Sequence, residues 1–176
     1  GFAIGSEVLG FAVLNCYAEY VVVDASQATA KPASMTWAEA GGLTGNGQGA
    51  YMALQALRIR EGETIVVHGA AGTLGSIAVQ LAKLWGAGTV IGTASAYNHD
   101  YVRSLGAIPV TYGEGLVDRV RALAPQGVDA VFDTAGADAV RASLEWVRDR
   151  SRICTFAAHE LIDELGLLVV RGERTA

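Results

Sequence analysis

Short apolar runs rich in β-branched residues alternate with longer stretches of helical apolar spacing from residue 64 onward. The apolar runs occupy residues 64–68, 89–93, 108–111, 128–132 and 152–156, and residues 165–170 are a weaker sixth candidate. Helical spacing occupies residues 74–85, 99–105, 115–124 and 138–147. Strands that are buried on both faces read as continuous apolar runs, and their alternation with helices is typical of βαβ units. The pattern therefore predicts an α/β fold with a doubly wound parallel sheet.

The first 33 residues follow a different pattern. Residues 17–23 are rich in strand formers and predict a β-hairpin together with the apolar and glycine-containing stretch that begins at Glu7. Residues 28–34 contain a proline and predict a connection. Glu39 follows Thr36 at the spacing of a capping box, so a helix is predicted to begin there. We therefore expect a β-rich segment over residues 1–33 and the α/β domain over residues 34–176.

Composition and charge narrow the range of partners. Hydrophobic residues make up 51% of the 176 positions and charged residues 18%, which is typical of a folded chain with a large core. The net charge of -5 and the lack of a Lys/Arg cluster disfavour nucleic acid. No apolar stretch approaches the ~20 residues of a membrane-spanning helix. With no leading run of the secretory type, the sequence favours a cytoplasmic location and no membrane.

The cysteines and histidines predict no metal site. Cys16 and Cys154 lie far apart without a neighbouring Cys or His at ligand spacing, which favours reduced, buried thiols. The three histidines, His68, His99 and His159, are scattered along the chain, whereas a catalytic zinc needs three converging protein ligands. His68 ends a predicted strand, where a structural role is favoured, and His99 starts a predicted helix.

A glycine-rich turn follows the first strand of the α/β domain. Gly69 permits a tight exit from the strand, Gly72 lets the backbone approach a pyrophosphate, and Gly75 allows close packing of helix and sheet. The unpaired amides and positive dipole end of the helix then face the phosphates. Ala71 makes the spacing Gly-x-x-Gly-x-x-Gly instead of the commoner Gly-x-Gly-x-x-Gly. A plain turn would explain three glycines, but the strand–turn–helix context favours a dinucleotide site of the Rossmann type. Its predicted members are Gly69, Ala71, Gly72, Thr73, Leu74 and Gly75.

The end of the second strand bears on the choice of nicotinamide cofactor. Domains that prefer NAD place an acid there for the ribose hydroxyls, whereas this chain has no acid before Asp100. That leaves room for a 2′-phosphate, although Arg103 is the nearest basic residue. The sequence therefore favours NADP(H) over NAD(H). The predicted contacts at this end are Thr93, Ser95, Tyr97 and Asn98.

The glycine turn and the helix after it, residues 67–75 and 78–83, resemble the coenzyme loop of the medium-chain dehydrogenase/reductase superfamily. The resemblance is to its zinc-free branch of quinone oxidoreductases and enoyl reductases. Residues 104–107 and 131–136 and Tyr112 also match positions of that family. Further resemblance lies upstream, where residues 5–10 and 17–21 look like the end of the family's GroES-like catalytic domain.

This resemblance implies roles for individual residues. Tyr112 would lie beside the adenosine ribose or its phosphate, with loop packing as the alternative. The nicotinamide end would be lined by Thr134, Ala135, Phe156 and Ala157, with a core aromatic as the alternative for Phe156. The branch often has a Thr where this chain has Gly49; Asn46 or Gln48 could replace that contact, but a glycine-rich helix entrance without a ligand contact is favoured. The resemblance also implies a homodimer through the sheet edge at residues 167–170.

The resemblance implies an NADPH-dependent oxidoreductase that transfers hydride to a quinone or to an enone or enoyl double bond. The residues name no proton donor. Most of the family's substrate cleft would lie outside this sequence, so the chain is either part of a longer protein or a reduced relative. A nicotinamide-nucleotide-binding module without turnover is the alternative function. A methyltransferase is a weaker candidate, because it generally needs an acid at the end of the second strand.

Overall fold

A computed structural model describes residues 1–10 and 16–170, and the chain divides into two compact units. The first begins at Gly1 and runs to Gln48, and the second begins at Gly49. The division falls inside the first helix, α1 (Trp37–Leu57). The expected domain boundary after residue 33 stays a prediction.

The first unit contains a small antiparallel pair of strands. β1 (Val8–Gly10) pairs with β2 (Ala28–Ala30). The predicted hairpin over residues 7–23 is wrong, because residues 17–23 form no strand and the partner of β1 lies in the stretch predicted as a connection. Residues with high strand propensity form a stable strand only where their side chains pack against an apolar surface. Here the side chains of Tyr17, Tyr20 and Val22 are almost fully exposed. Residues 11–15 lie outside the described part of the chain.

The predicted start of α1 is confirmed by a reciprocal capping box. The backbone N–H of Thr36 donates to Glu39 Oε2 over 2.8 Å, and the N–H of Glu39 donates to Thr36 Oγ1 over 3.3 Å. These two bonds satisfy amides that have no acceptor within the helix. Local sequence alone therefore sets where this helix begins.

The second unit is built on a five-stranded parallel sheet, as predicted. Its strands are β3 (Thr64–His68), β4 (Thr89–Ala94), β5 (Ile108–Thr111), β6 (Ala130–Asp133) and β7 (Ile153–Thr155). Their spatial order is β5-β4-β3-β6-β7, and every neighbouring pair is parallel. The chain thus winds outward in both directions from β3, which confirms the doubly wound Rossmann-type fold.

Helices follow the strands. They are α2 (Thr73–Leu84), α3 (His99–Ser104), α4 (Leu116–Leu123), α5 (Ala137–Ser143) and α6 (Glu160–Leu165). α5 ends before the predicted residue 147, since residues 144–147 form turns that bury Trp146 and Val147. The predicted sixth strand is also wrong within the described residues: Leu165 ends α6, and Leu168 makes only an isolated bridge with Cys154. None of the helices in the described ranges is long and apolar enough to cross a membrane.

The sheet is covered on both faces by apolar clusters. Ile65 and Val67 of β3 face one cluster, which also contains α1 and α2 residues, and Val66 faces the other, built with α4, α5 and α6. This alternation follows from the two-residue period of a strand. Fully burying one such side chain stabilises the fold by about 1.5–3 kcal/mol. The two clusters hold the carboxyl ends of the strands in fixed register.

The two cysteines lie in different surroundings. Cys154 is buried in β7, and burial raises the pKa of its thiol to about 12. Cys16 is exposed, so the prediction of two buried thiols is wrong for this residue. It directly precedes residues 17–23, which form no strand.

Candidate functional site

A cleft of about 990 Å³ opens at the carboxyl ends of the central strands. It lies where the chain reverses direction across the sheet, between the ends of β3, β4 and β6 and the loop after β5. In open α/β sheets, this reversal point is where ligands bind. The predicted site residues that line it are Gly69, Ala71, Gly72, Thr93, Ser95, Asn98, Tyr112 and Ala135.

The glycine turn is shaped by close backbone contacts. Gly69 has φ +71°, and a Cβ there would collide with Thr134 Oγ1. A Cβ on Gly75 would lie 2.9 Å from Ala70 Cα and nearer still to the carbonyl of Gly69. By contrast, Gly72 is at φ -75° and ψ 165°, and its Cβ would meet only the Gly69 carbonyl oxygen at 3.2 Å. Gly69 and Gly75 are therefore needed for the turn, whereas Gly72 leaves space in the cleft.

The first turn of α2 presents backbone donors beside this space. Gly72 is the N-cap of α2 and has no side chain to accept a hydrogen bond. The helical ladder begins with Ser76 N–H, which donates to the Gly72 carbonyl over 2.8 Å. The amides of Thr73, Leu74 and Gly75 precede that bond and so have no acceptor within the helix. An open cradle next to unpaired amides fits a diphosphate group, and the positive end of the helix dipole favours its charge.

The loop after β4 offers polar groups without a carboxylate. Asn98 Nδ2 donates to Ser95 Oγ over 3.2 Å, and both residues line the cleft. Tyr97 is 95% exposed and is not among the lining residues. Asp100, the first acid after the strand, pairs with Arg103 on α3. The place of a ribose-binding acid therefore holds a hydroxyl and an amide.

Two acidic residues of the cleft were missed by the sequence reasoning. Asp118 of α4 and Asp138 of α5 both line it. Asp118 lies 3.9 Å from Arg121. Each is the single acid of its helix and belongs to no motif, so no local pattern distinguishes it. Only the packing of α4 and α5 beside the sheet brings the two carboxylates to the cleft.

Asp133 organises two loops at the end of β6. It is fully buried, its Oδ1 accepts the N–H of Ala135 over 2.9 Å, and Thr155 Oγ1 donates to its Oδ2 over 2.7 Å. Thr155 Oγ1 in turn accepts the N–H groups of Ala157 and Ala158. Burial raises the pKa of Asp133 and outweighs the hydrogen bonds that lower it. Its position directly after an apolar run was the available signal in the sequence.

Phe156 lies near the amino end of α2. Its ring makes an edge-on contact with Phe132 at 5.3 Å between centroids, as a core aromatic would. A Cβ on Gly49 would lie 3.2 Å from both Leu74 Cδ1 and Phe156 Cε2. Phe156 also lines a second, smaller cavity of about 250 Å³, together with His159. Leu74 and Phe156 therefore share one surface, where Gly49 leaves space.

The four remaining predicted residues are not among those that line the cleft. Thr134 Oγ1 donates to the His68 carbonyl over 2.7 Å, which ties the end of β6 to that of β3. Thr73 and Ala157 are exposed, and Gly75 is buried against the turn. Within residues 1–10 and 16–170, no three His, Cys, Asp or Glu side chains come together as metal ligands.

Sequence and structure comparisons place this architecture among known proteins. The quinone oxidoreductase of Coxiella burnetii is similar, with a TM-score of 0.76 and 31% identity over 92% of this chain and 52% of that one. The mycobacterial protein Rv1454c, solved in complex with NADPH, has a TM-score of 0.69 and 31% identity over 76% of this chain and 43% of its own. The human synaptic vesicle membrane protein VAT-1 homolog is 31% identical over 161 residues, which are 90% of this chain and 41% of that protein.

The chain thus spans about two fifths of the length of that human relative. A family model described as zinc-binding dehydrogenase matches residues 73–171, which begin at the first residue of α2 and include the strands β4 to β7. This match covers more than half of the 176 residues. The chain belongs to the zinc-binding dehydrogenase family, within the medium-chain dehydrogenase/reductase superfamily.

Proposed function

We propose that this chain binds NADP(H) in the cleft and is the nucleotide-binding part of an oxidoreductase. The enzyme would reduce a quinone or the double bond of an enone or enoyl compound. The observation that carries the proposal is the cradle at Gly72. Its missing side chain opens the cleft to the amides at the start of α2. A diphosphate bridge is the part of a dinucleotide that such a cradle recognises.

The residues around the cradle suggest how the rest of the dinucleotide would be held. The turn from Gly69 to Gly75 would take the diphosphate, with Ser95 and Asn98 at the ribose end and Tyr112 beside it. Thr93 lies near the end of β4, and Thr134 and Ala135 directly follow β6. Phe156 and Ala157 would lie at the nicotinamide end, which the position of both Phe156 and Leu74 beside Gly49 supports. The exposed Tyr97 would move to contact the nucleotide.

The preference for NADP(H) over NAD(H) rests on the charges of the cleft. A carboxylate after β4 would repel a 2′-phosphate, and Ser95 and Asn98 stand there instead. Asp118 and Asp138 act against the preference for NADP(H), since their carboxylates line the same cleft. Two unit charges 4 Å apart in water interact by only about 1 kcal/mol, so local hydrogen bonds at the ribose outweigh these exposed acids. We therefore propose a modest preference for NADP(H).

The bound nicotinamide supplies the hydride, and the chain's own residues bind and orient it. Asp133 fixes the two loops that would face the nicotinamide end: it accepts the N–H of Ala135 directly, and it accepts the hydroxyl of Thr155, whose oxygen accepts the N–H of Ala157. Rigid loops hold the reacting groups at a fixed distance, and this positioning is the main contribution of a protein to hydride transfer. The substrate is proposed to be a small molecule. Zinc independence, a cytoplasmic location and a homodimer through the sheet edge stay predictions.

Binding and turnover measurements test the proposal. NADPH, NADH and S-adenosylmethionine are titrated separately into the purified protein, and NADPH oxidation is followed with a panel of quinones and enones. We expect saturable binding of NADPH, weaker binding of NADH, no binding of S-adenosylmethionine and substrate-dependent oxidation. Binding of NADPH without oxidation by any substrate would favour the non-catalytic module. Failure of both nicotinamide nucleotides to bind would overturn the proposal.

A further inference from the structure

His68 is the last residue of β3 and directly precedes the glycine turn. Its side chain is fully buried, yet both ring nitrogens have partners. Nδ1 lies 3.1 Å from Thr93 Oγ1 of β4, and Nε2 lies 3.0 Å from Ser143 Oγ of α5. Buried polar groups are stable only when they are paired, and here the pairs join three separate elements.

The direction of each hydrogen bond follows from the available protons. Ser143 Oγ donates its only hydrogen to the Ala139 carbonyl over 2.8 Å, so it must accept from His68 Nε2–H. The neutral ring then accepts at Nδ1, from the hydroxyl of Thr93. Thr93 Oγ1 in turn accepts the N–H of Gly69 over 3.2 Å. One directed chain of hydrogen bonds therefore runs from the Gly69 amide to the Ala139 carbonyl.

Both ends of this chain belong to walls of the cleft. Gly69 lies in the turn that leads to α2, and Ala139 lies on α5; both residues line the cleft. A third wall is joined through Trp146, whose ring stacks on His68 at 6.0 Å between centroids. Trp146 Nε1 donates to the Val117 carbonyl of α4, and Val117 also lines the cleft. Hydrogen bonds and ring stacking from His68 therefore join the glycine turn, α5 and α4, three elements that border the cleft.

We infer that His68, as the neutral Nε2–H tautomer, is a positioning residue that sets the separation between the glycine turn and α5 for a bound nucleotide. The inference rests on the proposed binding of NADP(H). Burial lowers the pKa of His68 to about 4, so the ring stays neutral around pH 7. The tautomer matters because in the Nδ1–H form His68 Nε2 carries no hydrogen. The hydroxyl hydrogen of Ser143 is already donated to the Ala139 carbonyl, so the hydrogen bond between Ser143 Oγ and Nε2 would be lost.

Two substitutions cut the chain of hydrogen bonds at different points. Ser143→Ala removes the acceptor on α5, and His68→Asn keeps an acceptor near Thr93 but is too short to reach Ser143. His68→Gln is the conservative variant, because its amide nitrogen can occupy the place of Nε2 and donate to Ser143. Ser104→Ala is the matched control: Ser104 Oγ also donates to a carbonyl of its own helix, that of Tyr101, but it lies on exposed α3.

The dissociation constant for NADPH is measured by fluorescence titration for each variant. We expect Ser143→Ala and His68→Asn to weaken binding about tenfold, which corresponds to one lost hydrogen bond. His68→Gln should recover a large part of that loss, and Ser104→Ala should bind as the wild type does. If Ser143→Ala lowers the melting temperature but binds NADPH with wild-type affinity, the positioning role is overturned while the proposed function stands.

The tautomer is measured independently of any nucleotide. Long-range ¹H–¹⁵N spectra of a protein with three histidines contain three imidazole patterns, and the one lost in His68→Gln belongs to His68. We expect the neutral Nε2–H form, unchanged between pH 8 and pH 5. A Nδ1–H tautomer or a charged ring at pH 7 would overturn the inference. A wild-type protein that shows the expected tautomer but binds neither NADPH nor NADH would overturn the proposed function and the positioning role together.

Discussion

Replacing Gly72 with serine separates nucleotide binding from folding. The backbone at Gly72 has φ -75° and ψ 165°, which any L-residue adopts. The new Cβ would meet only the Gly69 carbonyl oxygen at 3.2 Å. Serine is a preferred N-cap residue, so its hydroxyl would accept from an amide in the first turn of α2, at Leu74 or Gly75. The substitution therefore satisfies the donor that a diphosphate would otherwise use.

The two effects of Gly72→Ser differ in size. Serine exceeds glycine as an N-cap by a few tenths of a kcal/mol, and the close contact at 3.2 Å offsets part of this gain. The free energy of unfolding should therefore stay within about 1 kcal/mol of the wild-type value. A lost hydrogen bond to a charged group is worth about 1.5–3 kcal/mol. At about 1.4 kcal/mol for each factor of ten, NADPH should bind roughly 10- to 100-fold more weakly.

The assay combines fluorescence titration of NADPH with urea denaturation of the same preparation. Gly41→Ser is the control, because a Cβ on Gly41 of α1 would meet no atom within 4 Å and Gly41 does not line the cleft. It should leave the affinity for NADPH unchanged. A folded Gly72→Ser protein that binds NADPH as tightly as the wild type would refute the assignment of the diphosphate to this turn.

Four further outcomes are expected from the packing and the charges. Gly75→Ala should lower the free energy of unfolding by about 2–3 kcal/mol in urea, because its Cβ would collide with the backbone of the turn; an unchanged midpoint would contradict this. Gly45→Ala should raise it by about 0.5–1 kcal/mol, since Gly45 lies within α1 and a Cβ there meets no atom within 4 Å; a lower thermal midpoint would argue against a helix there. Arg152→Met should lower the free energy of unfolding by about 3 kcal/mol, because Arg152 pairs with Glu63 over 2.7 Å while their side chains are only 17% and 16% exposed, and because it also binds carbonyls at the end of α1. Denaturation curves that overlay those of the wild type would contradict this. Burial lowers the pKa of His68 from 6.5 to about 4, so the unfolded chain binds the additional proton and stability should fall by roughly 3 kcal/mol as pH drops from 6.5 to 4. The difference between the wild type and His68→Gln isolates this part, and parallel pH profiles would contradict it.

Local features of this protein were predictable because their causes lie within a few residues. The capping box of Thr36 and Glu39 and the strands β3 to β7 were predicted near their observed positions. The glycine turn was identified because its spacing and its place between a strand and a helix are themselves local. The strand predicted over residues 17–23 does not form, because strand propensity is only a local preference. Pairing also needs a neighbouring strand and an apolar surface against which the side chains pack.

The arrangement of the cleft was decided only by the tertiary structure. His68 and Ser143 are 75 positions apart, and Asp133 meets Thr155 across 22, so no spacing in the sequence relates them. The order of the strands brings these pairs together, because β3 lies between β4 and β6 and all their carboxyl ends meet at one edge. The sequence by itself determined the five strands of the parallel sheet and the glycine turn after β3. Burial and hydrogen-bond pairing between distant elements decided which polar side chains surround that turn, since a buried polar group is stable only where the fold supplies its partner.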